Sequence, residues 1–353
     1  MSALTVPDMA AIARHHQLRV RPVDLDPVTA SPCLDSLARA YSPRSRLLLL
    51  AHLFGSRFQL APFARFAKER GLLLIEDCAQ AYAGAEYQGD SSADVSLFSF
   101  GPIKAATALG GAIAVVRNET LLTKMLSRQQ EYPPSSRWSF LRRAMKYAML
   151  QGVTTRRACA LLFAACRLSG KDPDRIINGA VRNFAGGALL QQLRHRPSSP
   201  QLSLLARRLT GSGRSTWQQR AERGRELRAL LGEVIPCPGA DVEPHSFWVF
   251  PVQSLDAARL IPALRQQGFD ATQGQSLAVI DPPENHPHLE PHIARALLRQ
   301  IVFLPLHVDM EAADLWRMAA TIRQIEERAP HERSQANAAL ALTKDNRPTL
   351  TTN

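Results

Sequence analysis

The chain has 353 residues, of which 45% are hydrophobic, and a formal net charge of +12. This length can bury a full core with room for one large and one smaller unit, and the composition is that of a folded globular protein, not a disordered one. Five cysteines (Cys33, Cys78, Cys159, Cys166 and Cys237) lie without C-x-x-C spacing, so neither a zinc site nor a disulfide framework is indicated.

The residues from Met1 to Asp8 lack the basic-then-apolar pattern of a secretory signal, and no stretch approaches the ~20 apolar residues that span a bilayer. The expectation is a cytoplasmic protein. From about residue 8 to 116 the pattern alternates between helix and strand. Pro7 and Asp8 introduce a helix to about residue 16, with proline at an early position that tolerates it. Residues 19–24 read as a strand and 34–41 as a short helix. Residues 46–54 form a continuous apolar run suited to a buried parallel strand, closed by Gly55. Residues 60–70 place Leu60, Phe63, Phe66 and Ala67 on one helical face and stop at Gly71. Three further core strands are expected at 72–76, 95–98 and 112–116. Such alternation predicts an α/β fold whose sheet is mostly parallel and covered on both faces.

From about 118 to 232 the strand signal disappears. Helices are expected at 138–150, 154–168, 173–182, 188–193, 201–209 and 217–231. The positive charge concentrates here: residues 128–228 hold 20 Lys/Arg against 5 Asp/Glu, leaving the remainder of the chain slightly acidic. Within this section Trp138, Phe140, Leu141, Met145 and Tyr147 alternate with Arg142, Arg143 and Lys146. One reading is a helix that covers the core with its charges in solvent. The other is a docking surface for an anionic membrane or an acidic carrier protein. No nucleic-acid motif accompanies the charge, and no nucleic-acid partner is expected. From residue 246 the mixed pattern resumes, with strands at 247–252, 269–271 and 301–307 and helices at 255–267 and 310–326. Beyond about residue 329 the composition is polar and aperiodic, and a disordered tail is expected. The organisation read from these shifts is an α/β unit at 1–128, a basic helical region at 129–232, a small unit at 233–328 and the tail at 329–353.

Chemistry-bearing residues gather between 73 and 111. Leu73-Leu74-Ile75-Glu76-Asp77 ends an apolar strand on an acid, Ser99 ends the next, Lys104 follows five residues later, and Gly110-Gly111 opens the third. In open α/β sheets ligands collect at the carboxyl ends of strands, where these residues fall. The combination suits pyridoxal phosphate (PLP): a lysine can carry the aldehyde as a Schiff base, an acid can keep the pyridine nitrogen protonated, and the serine hydroxyl lies near enough to help bind the phosphate. Cys78 reads as a small buried filler, His52 as a hydrogen-bonded core residue, and His286 with His288 as loop residues lacking a third metal ligand. No G-x-G-x-x-G or G-x-x-x-x-G-K-[ST] supports a nicotinamide or ATP site.

Residue by residue, Glu76-Asp77-Cys78-Ala79-Gln80, Ser99-Phe100 through Lys104 and Gly110-Gly111 resemble the DegT–StrS family of PLP-dependent sugar aminotransferases, of the aspartate-aminotransferase fold type (fold type I). The stretches Gly268–Thr272 and Leu304–His307 resemble its small carboxyl-terminal domain. The resemblance covers about residues 2–128 and 215–328. It implies that Lys104 is the Schiff-base lysine, that Asp77 pairs with the pyridinium, that Gln80 lies by the ring and that Ser99 contacts the phosphate. It further implies amino transfer from a donor such as glutamate to a keto-sugar nucleotide or related polar ketone, in a homodimer. Family members that use the cofactor for dehydration carry histidine at the Schiff-base position, so Lys104 points to amino transfer. The family's G-T-x-A-L turn, which binds the cofactor phosphate at a helix start, has no counterpart in residues 1–30. Two expectations therefore stand side by side: an aminotransferase, or a truncated or split relative that binds the cofactor weakly and serves in binding or assembly.

Overall fold

The computed structural model describes residues 1–104, 106–153, 189–210, 214–274 and 276–327. The helices expected at 154–168 and 173–182, and the tail expected from 329, lie outside the described residues. At the centre is a four-stranded sheet of β2 (Leu47–Ala51), β3 (Leu73–Asp77), β4 (Val95–Ser99) and β5 (Ala112–Val116), in that spatial order. β2, β3 and β4 run parallel, and β5 is antiparallel to β4. β1 (Leu4–Thr5) pairs with β7 (Ala278–Val279), and β6 (Phe250–Gln253) with β8 (Ile301–Leu304), both antiparallel.

The apolar runs explain the strands. Leu48, Leu50 and Leu74 point into a core formed with Leu37 of helix Leu34–Ala40 and Phe63 and Ala67 of helix Ala61–Glu69. On the sheet's other side Ala51, Leu53 and Phe54 pack with Ala3, Leu4 and Leu25 against Ala294 and Leu297 of helix His292–Gln300. A separate core joins β6 and β8 to helices Arg214–Leu231, Ala257–Gln266 and Ala312–Glu326, through residues such as Leu227, Phe250, Val302 and Met318. Helix Ser199–Thr210 contributes Leu205 to a smaller cluster with Phe98 and Phe100.

The first and last described thirds of the chain are stitched together. Besides β1 on β7, the Ile280 N–H donates to the Ala3 carbonyl at 2.8 Å, and Arg21 contacts His286 Nε2 at 2.6 Å. The Asp24 carboxylate accepts the N–H groups of Ile293 and Ala294 at 3.0 and 2.9 Å. It thereby supplies a cap from far away in sequence to a helix whose own N-cap residue is Pro291.

Three local expectations change. Residues 19–24 form no strand, because Pro22 has no N–H to give a ladder; single bridges join Val23 to Ser2 and Leu25 to Pro32 instead. Residues 269–271 are likewise not a strand, and the pairing falls one residue later as a Thr272–Phe303 bridge. β6 begins at Phe250, since Phe247 sits at φ +45°, outside strand geometry. Helix Glu119–Gln130 was not expected from the apolar pattern: it buries no residue and is started by Asn118, whose side chain accepts the Leu121 N–H at 2.9 Å.

Candidate active site

The in-register pairing of the sheet brings the chemistry-bearing residues together. Ala51 is opposite Asp77 and Asp77 opposite Leu97, so β2, β3 and β4 end at one edge. Asp77 is the last residue of β3 and Ser99 the last of β4. The chain then turns back, with Lys104 N–H donating to the Gly101 carbonyl at 3.0 Å, and closes where Phe100 N–H reaches the Gly111 carbonyl. Gly110 and Gly111, at φ +147° and +85°, allow that closure.

Lys104 is partly buried at this edge. Burial pushes its amine down to about 8, while the negative charge of Asp77 acts in the opposite direction. Burial raises the Asp77 carboxyl above its usual range; the Ala79 N–H, at 2.9 Å from Oδ1, and the charge of Lys104 both counter that rise. Among the described residues this is the hydrogen bond that the Asp77 carboxylate makes, and the Ser99 hydroxyl makes none. Gln80 is differently engaged: its Oε1 accepts the Phe54 N–H at 2.9 Å, which ties the segment after β3 to the segment after β2.

Beneath this edge lies a closed polar network centred on Glu76, which is 0% exposed. His52 Nε2 meets Oε1 at 2.9 Å and the Tyr87 hydroxyl donates to Oε1 at 2.5 Å. The Ser96 hydroxyl and the Asp90 N–H donate to Oε2 at 2.6 and 2.9 Å. Burial alone would raise the Glu76 carboxyl, but the hydrogen bonds from His52, Ser96 and Tyr87 outweigh it and hold it at about 2. Arg117 buttresses the network by donating to Ser96 Oγ at 3.0 Å. Gly89 has room for no side chain, since a Cβ there would fall 2.0 Å from Ser96 Oγ. Cys78 Sγ lies within 4.8 Å of the His52 and Glu76 ligand atoms, yet both carboxylate oxygens are already committed and burial pushes the thiol well above its usual range. The arrangement is that of a structural support under Asp77.

A segment from far along the chain completes the edge. Residues 244–249 lie across the turn after β2, with Arg57 N–H donating to the Pro244 carbonyl, Ser246 N–H to the Gly55 carbonyl and Val249 N–H to the Phe54 carbonyl. Gly55, at φ +108°, permits the approach: a Cβ there would stand 2.6 Å from the Trp248 nitrogen. His245 Nδ1 accepts the Phe247 N–H at 2.8 Å, and burial pushes this imidazole down to about 4. The strap delivers Trp248, whose ring centroid is 4.1 Å from Lys104 Nζ. Trp248 is the site residue that the sequence concealed, because the run around it reads as ordinary strand.

The residues at this edge fit PLP on the chemistry of their donors. Lys104 offers a partly desolvated amine, and among the described residues Asp77 keeps one carboxylate oxygen uncommitted and Ser99 an unused hydroxyl.

Comparisons with known proteins place the chain among aminotransferases by likeness. Residues 1–145 match the model of the DegT/DnrJ/EryC1/StrS aminotransferase family. The chain is 33% identical over 121 residues to a dTDP-3-amino-3,4,6-trideoxy-alpha-D-glucose transaminase of Micromonospora megalomicea subsp. nigra, covering 33% of this chain and 32% of that protein. It is 40% identical over 88 residues to a dTDP-4-dehydro-2,3,6-trideoxy-D-glucose 4-aminotransferase of Saccharopolyspora spinosa, covering 24% and 23%. The matched stretch thus spans a third or less of these relatives. Likeness in three dimensions reaches much further. A DegT/DnrJ/EryC1/StrS aminotransferase from Brucella abortus superposes with a TM-score of 0.64 at 15% identity, covering 92% of this chain and 78% of that one. The sugar aminotransferase CalS13 from Micromonospora echinospora gives 0.61 at 18%, covering 92% and 79%. The fold is that of the PLP-dependent aminotransferases of fold type I.

Proposed function

We propose that this chain, whose residues 1–145 match the DegT/DnrJ/EryC1/StrS aminotransferases, is a PLP-dependent aminotransferase that moves an amino group onto a keto-sugar nucleotide or similar polar ketone. The observation that carries the reading is the meeting of Lys104, Asp77 and Ser99 at one sheet edge, with the lysine amine held near 8 by burial. Bound PLP supplies an electron sink that makes amino groups exchangeable. Lys104 Nζ would anchor the group, and as a free amine it would take and return the proton, since an amine poised near neutrality does both readily. Asp77 would hold a proton on the ring nitrogen, and Ser99 would give a hydrogen bond to the phosphate. Gln80 keeps its neighbourhood in register through Phe54. Nucleotide sugars named for the matched relatives, dTDP-linked in both, make a sugar nucleotide the favoured acceptor class, with glutamate as donor.

The same proposal includes a homodimer, a cytoplasmic location, and the division at 1–128, 129–232 and 233–328 as working units. No helix among the described residues is long and apolar enough to cross a membrane. Helix Arg137–Val153 nevertheless turns Trp138, Leu141, Met145 and Met149 outward, with Trp138 70% and Met149 72% exposed. Its Phe140, Arg143 and Tyr147 lie on the more sheltered side, and Arg143 donates to the Leu109 carbonyl at 3.1 Å. An outward apolar row set among basic residues favours peripheral docking on an anionic membrane over a simple cover for the core.

The test is covalent trapping. After incubation with PLP and reduction with borohydride, the stable pyridoxyl label is expected on the peptide containing Lys104 and is expected to be lost in Lys104→Ala. Equal labelling of that variant would overturn the assignment.

A further inference from the structure

Trp248 stands on a strap that the chain takes some trouble to fix. Three backbone hydrogen bonds tie residues 244–249 to residues 54–57, and the Arg220 guanidinium, from helix Arg214–Leu231, holds the strap separately by donating to the Ser246 carbonyl at 3.0 Å. The strap's path needs two backbones at positive φ, Phe54 (+62°) and Phe247 (+45°), besides Gly55. Non-glycine residues rarely adopt that region, and the cost is accepted only where surrounding structure over-determines it. Phe247 is wedged against helix Arg214–Leu231 at Gly224, where a Cβ would meet its ring at 2.3 Å, and it stacks on His245 at 3.8 Å. With Phe247 anchored inward, the next side chain faces the sheet edge, and its indole covers Lys104 Nζ.

We propose that Trp248 is a positioning residue for Lys104: its indole face holds the amine at the carboxyl ends of β3 and β4 and shuts water away from that side. The role in amino transfer rests on the aminotransferase reading; the contact itself does not. Two effects act on the amine through this face. An aromatic ring attracts the ammonium, favouring the protonated form, while removal of water disfavours it. Desolvation is the larger influence on Lys104, and the acid facing the amine is Asp77 of β3, whose charge acts against it. Opening the Trp248 side therefore returns the lysine towards its ordinary, higher range. The indole also gives the cofactor site a wall built by the carboxyl-terminal half of the chain, so the lysine's chemistry depends on that half being docked.

The test reads Lys104 by mass spectrometry after timed labelling with trinitrobenzenesulfonate across pH 6–11, with exposed Lys68 and Lys124 as internal references. In the unmodified protein the labelling midpoint of Lys104 is expected near 8. In Trp248→Ala it is expected to rise by about one unit or more, which lowers the neutral fraction at pH 8 roughly fivefold. Trp248→Phe, which keeps an aromatic face, is expected to stay near the unmodified midpoint. An unchanged or lowered midpoint in Trp248→Ala would overturn the proposal. If that variant fails to fold, the Phe variant carries the test through fluorescence. A pyridoxyl group fixed on Lys104 is expected to quench an emission component that Trp248→Phe lacks, and equal quenching in both proteins would refute the contact. Absence of any pyridoxyl label would instead count against the aminotransferase reading, leaving the midpoint comparison to decide on Trp248.

Discussion

Glu76 shows how much one side chain is asked to do beneath the site. Its carboxylate is met by His52 just past β2, by Ser96 of β4 and by the segment between β3 and β4, so removing its charge strands several buried partners at once. Because its folded pKa is depressed to about 2, it stabilises the fold fully above the ordinary carboxylate range near 4.5. That stability drains away as pH falls from 4.5 towards 2, by about 3 kcal/mol for a shift of this size. Glu76→Gln is expected to lower stability at pH 7 by roughly 2–4 kcal/mol, because an amide nitrogen replaces an acceptor among fixed donors. It is also expected to flatten the acid limb between pH 4.5 and 2. Urea titrations at pH 7 and across that limb check both; an unaltered limb would mean that other carboxylates govern it. At this scale the sequence was most legible where residues lie close along the chain. Asp77 and Ser99 fall on successive strand ends of one short segment and Lys104 in the turn just after the second, so strand pattern alone placed them together. Trp248 was hidden because its position depends on the backbone turn at Phe247 and on the space left by Gly55 and Gly224. None of these leaves a periodic trace.

Among the elements, helix Arg137–Val153 carries the clearest consequence. Its composition alone left open whether the apolar or the basic side faces outward; the structure turns the apolar row to solvent. Each basic residue near an anionic surface adds ~1 kcal/mol, and the apolar row adds burial at the headgroup boundary. Flotation with vesicles containing phosphatidylserine is therefore expected to recover the protein and to weaken with salt. Trp138→Glu combined with Met149→Glu is expected to reduce the recovered fraction at least tenfold without changing the melting temperature. Indifference to anionic vesicles at low salt would return the helix to the role of a cover. The elements that sequence misjudged share a cause. Residues 19–24, 269–271 and helix Glu119–Gln130 were decided by Pro22, by register with Phe303 and by the Asn118 cap, all local or pairwise effects weaker than hydrophobic period.

At the scale of the molecule, the two ends of the described chain share one core. Asp24→Ala removes two hydrogen bonds at the start of helix His292–Gln300 and a negative charge from its positive end. A loss of about 1–2 kcal/mol is expected, read as a lower denaturant midpoint with an unchanged slope. A changed slope would show instead that the ends unfold separately. Sequence reading captured the α/β class but not this closure, because nothing in residues 2–25 indicates which distant segment will cover them.

That closure also sets a timetable. Leu4 pairs with Val279, and Asp24 caps a helix that starts at His292, so the partners of the first strand are synthesised about 270 residues after it. At ribosomal rates of about 5–20 residues per second, the amino-terminal segment waits roughly 15–60 seconds for them. Throughout that interval Ala3, Leu4 and Leu25, all buried in the finished protein, lack the part of their core that Ala294, Leu297 and Ile301 supply. The nascent chain is therefore a natural client for a chaperone that holds short apolar segments, and slow codons late in the message would lengthen its exposure.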